Sequence, residues 1–353
     1  MRIIRSLIVT GVLTAVATAT FALAGSGVTS VAAQSPGILP LTPMDRIQIQ
    51  QLIARYAYAL DTGGRNGYDY ADLFKPDGVF VGMNQGDAGR LYRGRDTLAA
   101  LARGGPRNPD YVSHFITNIV LEATADGARG RQNAVIADLG AQGGSNRFTH
   151  GGFYEDTYVK TPDGWRFKSR VFYASEGGAT PRQRRNDPLK APVAPAAAPG
   201  NPAPAPVPRP AGTRALTTED YVEIQQLVSR YAYALDTAAN NGHDYADLFA
   251  ADAEFVRPPT TGRDNLARLA LTQPHGRDYV RHYITNHTIE PTTDGAAGKE
   301  YLMVLDIGES GKPGSIFLGG HYEDVYAKTD AGWKFKRREF IPSRTAGAPA
   351  ARP

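Results

Sequence analysis

An apolar stripe at helical spacing opens the patterned part of the chain. It consists of Ile49, Leu52, Ile53, Tyr56 and Leu60, which fall on one face of a helix. Thr42, with the acid Asp45 three residues later, is a helix-start signal in which the threonine side chain caps the first turn. The pattern therefore predicts a core-facing helix that ends near Asp61, where a carboxylate can reach a cavity at the flank of the stripe.

Further along the chain, the helical spacing is replaced by the two-residue alternation of β-strands. Over residues 112–123, successive side chains are predicted to project alternately to the two faces of a strand. One face carries His114, Ile116, Asn118 and Val120, and the other carries Phe115, Ile119 and Leu121. Further strands are predicted over 132–139, 148–160 and 165–173, separated by glycine-rich or Asp-Gly turns. Helical stretches followed by a run of antiparallel strands predict an α+β fold in which a curved sheet wraps about three helices.

The whole pattern occurs twice. The eight residues Arg55–Thr62 return unchanged as Arg230–Thr237, and their context repeats as well. A repeat of this length indicates two copies of one domain and not a solenoid. We predict domains at 41–175 and 216–341, a Pro/Ala-rich, semi-extended linker at 176–215 with no core of its own, and a disordered tail at 342–353.

The loop before the third predicted helix differs most between the two copies. The first copy has 13 residues between Phe80 and Gly94, at 81–93, and the second has six between Phe255 and Gly262, at 256–261. Loops carry specificity more often than helices and strands do. The difference raises the hypothesis of one catalytic copy and one structural copy.

The N-terminus has the pattern of a secretory signal peptide. Arg2 and Arg5 precede an apolar run from Leu7 to Ala24, and small residues precede Gln34. We predict a signal peptide at 1–33 and a periplasmic or secreted protein with no stable membrane insertion after cleavage. The alternative is an uncut segment that serves as a marginal anchor. Since the chain has no cysteine, it has neither disulfides nor a lipid-modified cysteine.

Charge and local motifs argue against several classes of partner. The net charge is +4 over 353 residues, and the excess is concentrated in segments such as Arg182–Arg185 between the domains. We therefore predict no nucleic-acid partner. The sequence contains neither a glycine-rich phosphate loop nor a His/Cys spacing suited to a metal, so no cofactor and no metal are predicted.

Three motifs together resemble one known family. They are a first helix that ends Tyr56-x-x-x-x-Asp61, a strand that contains His114-Phe115-Ile116-Thr117-Asn118, and a hairpin at 151–158 that leads to 164–167. These motifs resemble the SnoaL-like branch of the NTF2-like superfamily, close to scytalone dehydratase and bile acid 7α-dehydratase. The resemblance covers nearly all of each repeat and implies two tandem NTF2-like cone domains. Dehydratases, isomerases, cyclases, epoxide hydrolases and non-enzymatic binding proteins share that scaffold.

The resemblance also implies roles for particular side chains. Asp61 and His114 would form an acid/base pair at the cavity, with Tyr56 as hydrogen-bond donor to a substrate oxygen. The matching residues of the second copy are Asp236, His282 and Tyr231, and substrate contacts are predicted for Asn118, Asn286, Tyr154 and Tyr322. The second histidine of scytalone dehydratase has only a loose counterpart in His150, where the second copy has Leu318.

Structural alternatives for these residues stay open. An aspartate at a helix end also caps loops, and a histidine in a sheet is often satisfied by hydrogen bonds alone. Tyr56 lies on the apolar stripe, where core packing is equally expected. Glu155 and Asp156 alternate sides of a strand, so only one of them can face the cavity.

The functional prediction is a cofactor-independent, dehydratase-like lyase or isomerase. It would act by Asp/His acid-base catalysis on a small hydrophobic cyclic or steroid-like molecule in an enclosed pocket, because a histidine held by a buried aspartate suits a base near neutral pH. The alternative is a non-catalytic module on the same fold that binds a small molecule or a protein. The two domains are expected to pair within the chain as an intramolecular pseudo-dimer, as the resemblance suggests.

Overall fold

The computed structural model describes residues 40–83, 89–104, 112–140, 146–175, 188–200, 211–272, 280–308 and 313–343. The predicted signal peptide, most of the predicted tail and parts of the linker lie outside these residues. Both domains belong to one compact unit that spans residues 38–353. No helix within the described ranges is long and apolar enough to cross a membrane.

The two domains contain the same elements in the same order. In domain 1 these are α1 (Pro43–Thr62), α2 (Tyr68–Ala71), β1 (Phe74–Met83), β2 (Arg90–Arg93), α3 (Arg95–Gly104), β3 (Val112–Thr124), β4 (Gly127–Asp138), β5 (Arg147–Thr161) and β6 (Gly164–Ala174). In domain 2 they are α4 (Thr218–Thr237), α5 (His243–Ala246), β7 (Phe249–Phe255), β8 (Thr260–Thr261), α6 (Arg263–Thr272), β9 (Val280–Pro291), β10 (Ala296–Asp306), β11 (Ser315–Thr329) and β12 (Gly332–Pro342). The predicted α+β layout is confirmed.

Each domain has one six-stranded sheet. The strand order is β2-β1-β6-β5-β4-β3 in domain 1 and β8-β7-β12-β11-β10-β9 in domain 2. Strand β1 pairs with β6 in parallel, and the other pairs of that sheet are antiparallel. Strand β3 is therefore an edge strand. It packs along α1, from Arg46 in the first turn of the helix to Asp61 in its last turn, where the candidate site forms.

One carboxylate, that of Asp45, joins the start of α1 to the hairpin formed by β5 and β6. Thr42 and Asp45 form the predicted capping box. Asp45 Oδ1 also accepts hydrogen bonds from Nε1 of Trp165, at 3.0 Å, and from Nζ of Lys160, at 2.7 Å. Although partial burial opposes them, these donors hold the pKa of Asp45 well below its usual range. Asp220 repeats the arrangement at the start of α4 with Trp333 and Lys328.

The predicted face assignment of β3 is wrong beyond Thr117. A bulge between Thr117 and Val120 leaves Asn118 in the left-handed region, with a φ of 56°. One extra residue in a strand reverses the side on which every later side chain projects. Val120 is consequently on the outer face, where 57% of it is exposed, and does not share the face of His114. Domain 2 has the same bulge, with Asn286 at a φ of 56°.

Part of the predicted linker packs on domain 1. The backbone N of Leu91 donates to the carbonyl of Pro192 at 3.0 Å, and the N of Ala194 donates to the carbonyl of Leu91 at 2.8 Å. Ala191 is buried in a small cluster with Leu91 and Val171. Strand β2 is short and at the edge of its sheet, so its unpaired backbone groups are available to this segment.

The two domains contact each other within the chain. Gln51 on α1 donates from Nε2 to the carbonyl of His287, at 3.0 Å, and accepts from the backbone N of Ile289 at 2.6 Å. Asn286 on β9 donates to the carbonyl of His114 at 3.1 Å and accepts from the backbone N of Ile116 at 3.1 Å. Two amide side chains thus join α1 and the edge strand β3 to β9 of domain 2.

Candidate functional site

The predicted acid/base pair of domain 1 is brought together where α1 ends beside β3. Asp61 Oδ1 accepts a short hydrogen bond from Nδ1 of His114, and Oδ2 accepts from the backbone N of the same residue at 3.0 Å. The carboxylate is almost completely buried. Because an ionised carboxylate only accepts, Nδ1 carries the proton and Nε2 is left as the reactive nitrogen.

The second copy forms the same pair. His282 Nδ1 lies 2.5 Å from Oδ1 of Asp236, and its backbone N donates to Oδ2 at 3.2 Å. Among the described residues, Nε2 of neither histidine forms a hydrogen bond with another residue. The two Asp–His pairs therefore share one geometry, and the catalytic role of each remains a prediction.

A second histidine shares a row of the sheet with His114. Ile136 on β4 pairs with His114 on one side and with His150 on the other. Residues that pair directly across strands project on the same face, so domain 1 presents two imidazoles that flank an isoleucine. In domain 2 the corresponding row runs from His282 through Val304 to Leu318. The two copies thus differ in the chemistry available beside the pair.

A buried arginine that sequence analysis missed occupies the interior of domain 1. The guanidinium of Arg170 lies 3.8 Å from the ring centroids of both Tyr56 and Tyr154, so the two rings clamp its faces. Its NH1 lies 3.4 Å from Oδ2 of Asp156, and neither side chain has exposed surface. The inward acid of the Glu155–Asp156 pair is therefore Asp156, and Tyr56 and Tyr154 lie in the core. Their predicted contacts with a substrate stay predictions.

The interior of domain 2 carries one more carboxyl group. Arg338, clamped by Tyr231 and Tyr322, donates to Oδ2 of Asp324 at 3.0 Å and to Oε1 of Glu300 at 2.8 Å. Burial raises the pKa of Glu300 well above its usual range, and the adjacent Asp324 adds to the effect. The position of Glu300 is occupied by Gln132 in domain 1, whose Nε2 donates to Asp156 at 2.5 Å. The repeated arginine in the last strand of each copy was the available sequence signal.

A mostly buried histidine adjoins this network in domain 2. Nε2 of His287 lies 3.0 Å from the hydroxyl of Tyr326 and 3.9 Å from Oε2 of Glu300. Burial, reinforced by the positive charge of Arg338, lowers the pKa of His287 to about 3. The matching residue of domain 1 is Ile119. Domain 2 thus holds a neutral imidazole where domain 1 holds hydrocarbon.

We expect His287→Ile to remove part of the acid sensitivity of domain 2. In the wild-type protein the unfolded chain binds a proton on this residue below about pH 6.5, whereas the folded chain does so only near pH 3. Stability should consequently fall between these values by up to about 1.4 kcal/mol per pH unit relative to the variant. Urea unfolding of both proteins at pH 7, 5.5 and 4 measures the difference. Parallel pH curves would contradict the assignment of His287 as the neutral group.

The asparagines predicted to contact substrate have different surroundings. Asn118 is exposed on its bulge, whereas Asn286 is buried between the domains, with its amide engaged by β3. A substrate contact remains a prediction for Asn118. For Asn286 the structure shows a structural role, because the amide oxygen and nitrogen already bond to domain 1.

The grooves on the outer faces of the sheets lie away from the Asp–His pairs. One groove of about 550 Å³ in domain 1 is lined by Val120, Arg131, Glu155 and Leu189 among others. A groove of about 290 Å³ occupies the matching place in domain 2. Neither groove includes an Asp–His pair, so neither is the predicted enclosed pocket. No cluster of three His, Asp or Glu side chains suited to a metal occurs among the described residues.

Comparison with known proteins identifies the domain. The family described as SnoaL-like domain matches residues 44–171 and 216–339. Uncharacterized protein Mb2934c of Mycobacterium bovis is 29% identical over 128 residues, which are 36% of this chain and 83% of that protein. Among solved structures, an NTF2-like protein with a cystatin-like fold from Novosphingobium aromaticivorans is 26% identical with a TM-score of 0.34, and covers 39% of this chain and 87% of its own. Rv3472 of Mycobacterium tuberculosis, described as of unknown function, is 26% identical with a TM-score of 0.32, over 37% of this chain and 72% of its own. The chain belongs to the SnoaL-like domain family and carries two copies of that domain in tandem.

Proposed function

We propose that the protein is a cofactor-independent lyase or isomerase that works by general acid-base catalysis. The observation that supports the proposal is the Asp–His hydrogen bond at the end of the first helix of each copy. In each pair the aspartate fixes the imidazole through Nδ1, so Nε2 can accept a proton from a carbon acid and the carboxylate stabilises the imidazolium. The substrate class is a small cyclic hydroxy-ketone or enone.

Dehydration beside a carbonyl needs a base and an acid. Nε2 of His114 removes the proton next to the carbonyl, and the electron pair forms the new double bond as the neighbouring C–O bond breaks. The departing oxygen takes a proton from a general acid and leaves as water. The imidazolium then gives its proton to solvent, and the general acid takes one back from solvent. His150 is the candidate acid in domain 1, because it projects on the same face about 10 Å away, two strand spacings across the sheet.

Domain 1 is the proposed catalytic copy. The row that contains its pair carries two imidazoles, whereas domain 2 has Leu318 at the position of His150. A leucine cannot supply a proton to a leaving oxygen. The second copy then stabilises the first through the contacts between the domains, in agreement with the hypothesis of divided labour.

Single and paired histidine variants test the proposal. We expect His114→Ala to lower kcat/KM on a panel of cyclic β-hydroxy ketones by about 100-fold, since a positioned acid or base contributes at least that factor. His282→Ala, the matched control, should change it by less than about threefold. His150→Leu, which installs the residue of domain 2, should lower kcat more than it raises KM. Equal turnover in the wild type and in His114→Ala/His282→Ala would exclude catalysis by either pair.

A non-catalytic binding module is the second candidate. It is favoured over the enzyme because tyrosine rings that clamp a buried arginine fill the deep interior of each cone, where an enclosed reaction pocket would lie, so a ligand has to bind nearer the partly exposed His114 ring. If the panel shows no turnover, yet chemical shifts of the His114 ring protons change on addition of the same ketones, this reading replaces the enzyme.

A further inference from the structure

One tyrosine of domain 2 reaches the aspartate of domain 1. Tyr301 lies on β10, and its hydroxyl donates to Oδ2 of Asp61 at 2.8 Å. Its ring centroid lies 4.3 Å from that of Tyr58 on α1 and 5.6 Å from that of Phe115 on β3. Tyr301 is buried, and it belongs to the hydrophobic core of domain 1 and not to that of its own domain.

The reverse contact is not formed. The residue of domain 1 that corresponds to Tyr301 is Asn133, which is exposed. Tyr233, the counterpart of Tyr58, is 75% exposed, whereas Tyr58 is packed against Tyr301. Within the described residues, the donors to Asp236 are the ring and backbone nitrogens of His282. The two Asp–His pairs thus differ by one phenol, and the difference comes from the asymmetric packing of the domains.

We propose that Tyr301 is a positioning residue through which domain 2 sets the protonation of the Asp61–His114 pair. A phenol that donates to a carboxylate disperses the negative charge that would otherwise support an imidazolium. It therefore favours the neutral form of His114, which is the form a general base requires. The same bond adds a second donor to Oδ2 of Asp61, which also accepts from the backbone N of His114, and so restrains the orientation of the carboxylate.

Among the groups around Asp61, the hydroxyl of Tyr301 is the donor that has no counterpart at Asp236. From α1 comes Tyr58, whose buried hydroxyl forms no hydrogen bond with any of the described residues. From β3 come the ring and backbone nitrogens of His114, which both copies possess. The carboxyls of Glu300, Asp324 and Glu323 act on Tyr58 from farther away in domain 2. Burial and the neighbouring Asp61 raise the pKa of Tyr301 well above its usual range, so its hydroxyl remains a donor at neutral pH.

The test is a titration of His114 in the full chain with Tyr301→Phe. Phenylalanine keeps the ring contacts with Tyr58 and Phe115 and removes only the hydroxyl. We follow the Cε1–H signal of His114 by proton NMR and expect its titration midpoint to move to higher pH by about 0.5 to 1 unit. The shift is of this size because the lost hydrogen bond to the charged carboxylate affects the energies of both protonation states of the pair, and only the difference between the two effects moves the midpoint. The midpoint of His282 in the same sample is the internal control and should stay within about 0.1 unit, since its own bonds are unchanged.

The NMR titration tests the role of Tyr301 whether or not the protein is an enzyme. Only the kinetic consequence of that role rests on the proposed function. If the enzyme is active, the acid limb of its kcat/KM profile should move in Tyr301→Phe by the same amount as the NMR midpoint. A shifted midpoint without turnover in the wild type retains the coupling and removes the enzyme. An unmoved His114 midpoint overturns the inference whatever the activity, and so does an equal shift of His282.

Discussion

Asp156→Asn should lower the free energy of unfolding of domain 1 by about 3 to 5 kcal/mol, the usual cost of leaving a buried charge without its partner. Asp156 Oδ2 lies 3.4 Å from NH1 of Arg170 and accepts from Gln132 and from Tyr158, at 2.5 and 2.7 Å. Asparagine keeps the shape but replaces the counter-charge with an amide that presents N–H groups near a guanidinium. Burial raises the pKa of Asp156, and Arg170 opposes that effect.

Domain 2 supplies the matched control. Asp324→Asn leaves Glu300 at 2.8 Å from Arg338, so we expect a loss of only about 1 to 2 kcal/mol. Adding Gln132→Glu to Asp156→Asn installs the second carboxyl of domain 2 in domain 1 and should restore at least half of the lost stability. The protein has two tryptophans, Trp165 in domain 1 and Trp333 in domain 2. Urea titration monitored by fluorine NMR of 5-fluorotryptophan therefore measures each domain separately. A loss below about 1 kcal/mol in Asp156→Asn would show that Arg170 does not need this partner.

Gly67→Ala should destabilise domain 1 by about 3 to 4 kcal/mol, because it combines backbone strain with a clash that only a shift of a helix relieves. Gly67 has a φ of 85°, in the left-handed region. A Cβ there would lie 2.1 Å from the carbonyl oxygen of Ala99 on α3. The turn before α2 and the helix α3 would have to separate.

Gly94→Ala is the control for backbone strain alone. Gly94 has a φ of 84°, and a Cβ there would meet no atom within 4 Å. We expect a loss of about 1 kcal/mol, from the left-handed conformation only. The fluorine signal of Trp165 reports both variants. Equal losses would mean that α3 moves away from the methyl group added at Gly67 without cost, and that the close approach is unimportant for stability.

Several features were predictable because short-range rules produce them. The capping boxes at Thr42 and Thr217 follow from a threonine with an acid three residues later. The third helices begin beside Gly94 and Gly262, as the repeated Gly-Arg-Asp motif indicates. The apolar pattern also predicts a short second helix from Tyr70 to Phe74, whereas α2 spans Tyr68–Ala71 and Phe74 begins β1. The apolar side chain of Phe74 fits the periodicity of a helix and that of a strand, and its pairing with β6 places it in a strand.

The sequence alone determined the duplication, the α+β class, the family resemblance and the residues of both Asp–His pairs. These depend on periodicity, caps and repeated letters, which are local properties of a chain. Tertiary structure alone decided that a bulge at Asn118 turns Val120 outward, that Arg170 fills the cone, and that Tyr301 reaches Asp61 without a reciprocal contact. Each of these depends on which surfaces meet across a sheet or between segments far apart in the chain. Two copies with the same local patterns acquire different environments because each domain presents a different face to the other.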